Sequence, residues 1–217
     1  MNLRPTPDRA NVYLDIETAS LDNKNPDGAL SALTGRIVCI VTLTDDGTTL
    51  KEQAFAGQDE AEMLQAFWRS VKPGQCFVGH NALNFDLPFI RQRSWILNVR
   101  PSRRIDLRRF YTQDVIDTLQ VFSNWGATRF PALNDLAAAL GCGQKSAEGS
   151  KVSEWWTAGD LESIVRYCRQ DVLLSYRIFC RLMFLDLPKR FTALAENSPL
   201  TKSAAAESVG AFQDCRT

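Results

Sequence analysis

Three short segments carry the side chains able to do chemistry. Asp15 and Glu17 stand two residues apart in the apolar run VYLDIET. In a strand both would leave the same face, roughly 6 to 7 Å apart along the backbone. Two like charges on an apolar strand must reach solvent, meet cations or hold a metal, because burying lone charge is costly. The triplet alone is weak: Asp160-Leu161-Glu162 repeats it at a predicted helix start, where acids complement the macrodipole. Asp86 closes Asn81-Ala82-Leu83-Asn84-Phe85-Asp86, between the strand-like CFVGH and a predicted helix. There it is either a helix cap or a third metal ligand, with Asn81 fixing the loop or touching substrate. Tyr167 and Asp171 occupy i and i+4 of another predicted helix, about 6 Å apart along its axis. The phenol could hydrogen-bond a water that a metal activates; the bland alternative is a core tyrosine beside a solvated aspartate.

These residues need elements to position them. VYLDIET, RIVCIVTL and TLKEQAF read as three strands, the last two joined through Asp45-Asp46-Gly47 as a hairpin. Residues 59–71 place Met63, Leu64, Phe67 and Val71 at helical spacing, with Asp59 as N-cap. CFVGHN is a short strand, DLPFIRQRSWIL a helix with Pro88 in its first turn, QDVIDTLQVF a short strand running into a helix, and ALNDLAAALG a helix closed by Gly141. Residues 142–159 read as a loop, and a long helix follows from Asp160 to about Asp186. Strands clustered first and then alternating with helices indicate an α/β domain on a mixed sheet of about five strands, for which a ribonuclease H-like fold fits. Fold alone does not give function.

Composition narrows the classes. With 217 residues, 45% of them hydrophobic, the chain suits one domain, expected over residues 1–197, with 198–217 as a flexible C-terminal tail. No run approaches a membrane span and the start lacks an apolar signal, so a cytoplasmic protein is expected. The cysteines (Cys39, Cys76, Cys142, Cys168, Cys180, Cys215) form no C-x-x-C pair and read as reduced, mostly buried thiols. With His80 the sole histidine, a Cys/His zinc site is disfavoured and any metal should be held by oxygen. The formal charge is zero, yet Arg91, Arg93, Arg100, Arg103, Arg104, Arg108 and Arg109 crowd one stretch with Asp106 as its only acid. That stretch is either a phosphate-attracting field or a solvated basic face.

Taken together and in order, D-I-E-T, N-x-x-x-F-D and Y-x-x-x-D resemble the three exonuclease motifs of the DEDD superfamily. GHNALNFDLPFI is similar to the second motif of the exonuclease domain of B-family DNA polymerases, and the likeness runs from Val12 to Leu182. Tyr167, four residues before Asp171, places the resemblance in the tyrosine (DEDDy) subclass; His80 sits beside the second motif and cannot take the histidine role. The resemblance implies a 3′-5′ exonuclease with two divalent cations, Mg²⁺ or Mn²⁺. Asp15, Glu17 and Asp171 would hold one ion, Asp15 and Asp86 the other, and Tyr167 would orient the attacking water. The implied substrate is single-stranded DNA or frayed 3′ ends, released as nucleoside 5′-monophosphates. The backbone from Ile16 to Thr18 would recognise the 3′ hydroxyl, and Phe85 or Leu83 would pack on the terminal base or fill core, the preferred reading for Phe85. Trp155 and Trp156 could stack on bases or anchor a loop. Residues 21–35 have no counterpart in the polymerase-linked family. Rival readings are an RNA 3′-end trimming enzyme and a catalytically silent nucleic-acid-binding module. A ribonuclease H-type endonuclease is disfavoured, because it would take its glutamate from a helix.

Overall fold

A computed structural model describes residues 5–6, 8–22, 25–144 and 151–197. The expected tail at 198–217 lies outside them. The sheet has five strands in the order β3-β2-β1-β4-β5: β1 Asn11–Ser20, β2 Gly35–Asp45, β3 Leu50–Ala56, β4 Cys76–Gly79 and β5 Val115–Asp117. β2 runs antiparallel to β1 and β3, whereas β4 is parallel to both β1 and β5. This mixed order is the ribonuclease H-like sheet that the element pattern predicts.

β1 is central and buries both faces. Val12, Leu14 and Ile16 enter one core with Leu64, Phe67, Leu87 and Ile90, which belong to α1 (Glu60–Ser70) and α2 (Asp86–Ile96). Tyr13 and Ala19 enter the other core with Cys168, Val172 and Phe179 of α6 (Leu161–Leu182). The alternation of β1 therefore aims Asp15 and Glu17 at α6. A β-bulge interrupts the β1-β2 register, since Glu17 pairs with Cys39 but Thr18 with Ile37. Val38 is the extra residue, and a bulge bends its strand where one is placed.

Local chemistry fixes the helix starts. Asp59 accepts from Glu62 N at 2.9 Å and Asp160 from Ser163 N at 3.0 Å, which assigns the second D-x-E a capping role. Between them lie α3 (Thr118–Phe122) and α4 (Leu133–Ala139), and α7 (Lys189–Asn197) ends the described chain. Residues expected to be loop contain α5, Val152–Ala158, closed by Gly159 at φ 74°. Too short for a clear apolar period, α5 is held by Val152, Trp155 and Trp156 packing on the α6 side. A 3-10 helix, Pro26–Leu30, occupies the stretch without a counterpart, and Thr18 Oγ1 donates to Ala29 O at 2.8 Å to tie it to β1. The long helix stops at Leu182, short of Asp186, where Phe184 takes φ 51°.

Candidate active site

Asp15 and Glu17 come from β1, Asp86 from the first turn of α2, and Tyr167 and Asp171 from the middle of α6. Asp86 does not simply cap its own helix. Its Oδ1 accepts the backbone N–H of Ile16 at 3.1 Å, which brings the second segment against the first. Donor atoms of Asp15, Glu17 and Cys168 all lie within 4.8 Å of one another. The Cys168 thiol is 3.2 Å from the Asp15 carbonyl oxygen and 3.4 Å from its Oδ2, and can donate to either.

The electrostatics report the same convergence. Burial first, then the charges of Asp86, Asp171 and Glu17, push the Asp15 carboxyl well above its usual range, with the Cys168 hydrogen bond opposing. Asp86 is pushed up to about 7, chiefly by burial and further by Asp117 and Asp171, against its own backbone N–H and that of Ile16. Acids from three elements thus crowd one another, and a cation among them would relieve the repulsion. The Cys168 thiol is raised far above its ordinary value by burial, by Cys39 and by the Asp15 and Glu17 charges. Without a cation the thiol is held as S–H and serves as a donor to Asp15.

A residue that sequence reasoning missed organises the second segment. Fully buried Asp117, at the end of β5, accepts from Asn81 N at 3.0 Å and Leu83 N at 2.9 Å, and also from Leu119 N at 2.9 Å and Gln120 N at 3.3 Å. One carboxylate caps α3 and shapes the loop before Asp86. The available signal was Asp117 just before the helical TLQVF, an N-cap position. His80 is structural: Nδ1 meets Thr118 Oγ1 at 3.0 Å and Nε2 meets Pro131 O at 3.2 Å. Asn81 sits at φ 69°, where asparagine is tolerated, and its Oδ1 accepts from Asn84 Nδ2 at 3.2 Å.

The remaining predicted residues divide. Ile16 is core and its N–H is engaged by Asp86, while Thr18 turns its hydroxyl to Ala29. Phe85 is half-buried against the core, its ring 5.5 Å from that of Phe89. Tyr167 is buried with its ring 5.9 Å from Trp155, and Arg36 lies over Trp156 at 5.0 Å. The tryptophan pair therefore anchors α5. The basic stretch is not one field either. Arg93 is buried, donating to Glu60 at 2.9 and 2.7 Å, while Arg103 pairs with Asp114 and Arg108 with Asp106. Arg100, Arg104 and Arg109 remain exposed. Among the described residues the cysteines are free, with Cys142 the least buried, and no helix is long and apolar enough to cross a membrane.

The family model described as "Predicted 3′-5′ exonuclease related to the exonuclease domain of PolB" matches residues 30–200. That span contains Asp86, Tyr167 and Asp171; Asp15 and Glu17 precede it and reach the others through the fold. No curated protein matches the chain. Among solved structures, it is similar to the Saccharomyces cerevisiae apo Pan2 pseudoubiquitin hydrolase-RNA exonuclease (UCH-Exo) module in complex with AAGGA RNA. The likeness is 13% identity over 98% of this chain and 34% of that one, with a TM-score of 0.44. This chain spans about a third of the length of that solved chain.

Proposed function

We propose that this chain, which belongs to the family of predicted 3′-5′ exonucleases related to the exonuclease domain of PolB, cuts single-stranded DNA or frayed 3′ ends to nucleoside 5′-monophosphates. Asp15, Glu17, Asp86 and Asp171 hold two divalent cations and Tyr167 positions the attacking water, the tyrosine-subclass pattern. The observation that carries this reading is geometric: the Asp86 carboxylate is held on the Ile16 N–H between Asp15 and Glu17, and the Asp15 carboxyl, raised first by its burial, also feels the charges of Asp86, Asp171 and Glu17.

The donor set fits hard cations. Carboxylate oxygens favour Mg²⁺ or Mn²⁺, and the mutual repulsion of the acids is what such ions remove. Asp15, Glu17 and Asp171 would hold one ion, and Asp15 with Asp86 the other. Bound there, the pair supplies a water nucleophile at neutral pH and charge stabilisation for the attacking and leaving oxygens of an in-line displacement.

The chain's own residues do the rest. Tyr167 lies one helical turn before Asp171, with its ring 5.9 Å from that of Trp155, and its hydroxyl would orient the attacking water. Cys168 donates to Asp15 and limits its rotation. The Ile16 N–H holds Asp86 across the strand. The backbone from Ile16 to Thr18, with Asn81, would take the terminal nucleotide and its 3′ hydroxyl, while Phe85 packs on the core.

Matched DNA and RNA oligonucleotides, labelled at either end and incubated with Mg²⁺, Mn²⁺ or chelator, test the proposal. Stepwise shortening of 5′-labelled DNA, immediate loss of a 3′ label and no reaction in chelator are expected. Internal cleavage, or equal activity in chelator, would overturn it; faster decay of RNA would replace DNA as the substrate.

A further inference from the structure

A cavity of about 490 Å³ opens beside the loop that leads to Asp86, within the roughly 300 to 1,000 Å³ typical of ligand clefts. Leu83 and Asn84 form one wall, Trp125 and Phe130 the aromatic side, and Arg109 reaches in from the basic stretch. Phe110 packs its ring on Trp125 at 4.9 Å and stays 64% exposed, while Phe130 is 49% exposed. Arg109 binds this platform twice, donating to the Trp125 carbonyl and lying over the Phe110 ring at 4.9 Å.

Bulky residues rarely accept left-handed backbone, yet Phe110 is at φ 66° and Trp125 at φ 59°. The strained backbone holds Phe110 out at the surface, against a Trp125 ring that rests partly buried on the core. The nearby charge is one-sided: Arg104, Arg109 and Arg129 are exposed, while Asp106 and Asp114 are occupied by Arg108 and Arg103. Leu107 lines both this cavity and a second one carrying Arg104, Arg91 and the 64% exposed Trp95. Aromatic faces within a cationic rim suit a polyanion that also offers flat rings.

We infer that the Trp125-Phe110 platform is a stacking site for an unpaired base of the substrate strand, upstream of the nucleotide being removed, with the strand continuing over Leu107 towards Trp95. The inference rests on the exonuclease reading for the position of the strand end, but its base-binding claim does not. Inside a duplex both faces of a base are covered by its stacked neighbours, so the site favours single-stranded segments.

The test measures binding apart from hydrolysis. Fluorescence anisotropy of a labelled single-stranded 12-mer in chelator gives Kd for the unaltered chain, Phe110→Ala, Trp125→Ala, Trp125→Phe and the control Phe184→Ala. Stacking of this kind predicts about tenfold weaker binding for either alanine variant at the platform, recovery in Trp125→Phe and no change in Phe184→Ala. Phe110, being exposed, can be removed without opening the core, which keeps the test decisive if Trp125→Ala fails to fold. Hydrolysis then separates the two claims. Phe110→Ala should lose at least about fivefold more activity on the 12-mer than on the p-nitrophenyl ester of thymidine 5′-monophosphate, which has no upstream base. Unchanged Kd in Phe110→Ala and in a folded Trp125 variant overturns the platform even if the chain is an active exonuclease. Platform-dependent binding by a chain that cuts neither substrate supports the platform and overturns the exonuclease reading instead.

Discussion

The Oδ1 of Asp86 accepts the backbone N–H of Ile16 at 3.1 Å, across 70 residues of sequence. Ile16 lies between Asp15 and Glu17, so one hydrogen bond sets the spacing between acids on β1 and the acid that opens α2. It also holds the Asp86 charge where burial would otherwise expel it.

If the four acids act as one cation site, no single one can be spared. Asp15→Ala, Asp86→Ala and Asp171→Ala should each reduce Mn²⁺-dependent degradation of 3′-labelled single-stranded DNA to background while circular dichroism stays native. Full activity in any of them removes that residue from the site.

Raised carboxyl pKa values also make a statement about stability. Asp86 takes up its proton at about 7 in the folded, cation-free chain and near the ordinary carboxylate value when unfolded; Asp15 shifts the same way. The folded state therefore binds more protons between pH 4 and 7, roughly, and the cation-free protein loses stability as pH rises through that window. In chelator, calorimetric Tm should fall from pH 5 to pH 8, and Mn²⁺ should raise Tm more at pH 8 than at pH 5. Equal Mn²⁺ shifts at both pH values would contradict this.

Tyr167 is buried with its ring 5.9 Å from that of Trp155, and a Phe in its place keeps that ring contact. Tyr167→Phe should lower kcat by about 10- to 100-fold and leave Mn²⁺ affinity, read by calorimetric titration, unchanged. An unaltered kcat would mean that the phenol orients nothing.

Asp117 accepts four backbone N–H groups with no exposed surface. Asp117→Ala leaves those donors buried, at about 1 to 3 kcal/mol for each one left unsatisfied. A urea midpoint lowered by the equivalent of about 3 kcal/mol, with weaker Mn²⁺ binding through a loosened Asp86 loop, is expected. Asp117→Asn, which keeps one acceptor oxygen, should fall between. A stable, tightly binding Asp117→Ala would show that the loop holds its shape unaided.

Much of this was legible in the residues themselves. The period of two in VYLDIET and the i, i+4 spacing of Tyr167 and Asp171 are backbone geometry, and β1 and α6 realise both. Asp59 and Asp160 cap the helices expected of them. What escaped is set by tertiary partners. Arg93 looks like its basic neighbours until Glu60 meets it in the core, Asp117 looks like a cap until the loop arrives from β4, and α5 is too short to show a period of its own. Cys168 gave no sign that its thiol would rest on Asp15.

The extra residue Val38 decides which side of the molecule each part of β2 serves. Ahead of it the odd-numbered Ile37 joins the α1-α2 core; beyond it Cys39, Val41 and Leu43, also odd, join the α6 core. The strand changes parity at that point, much as a frameshift changes codons. Excising Val38 would exchange the two cores that the side chains of one half of β2 enter, or drag Cys39 out of step with Glu17, so this single residue keeps the sheet in frame with the acids it carries.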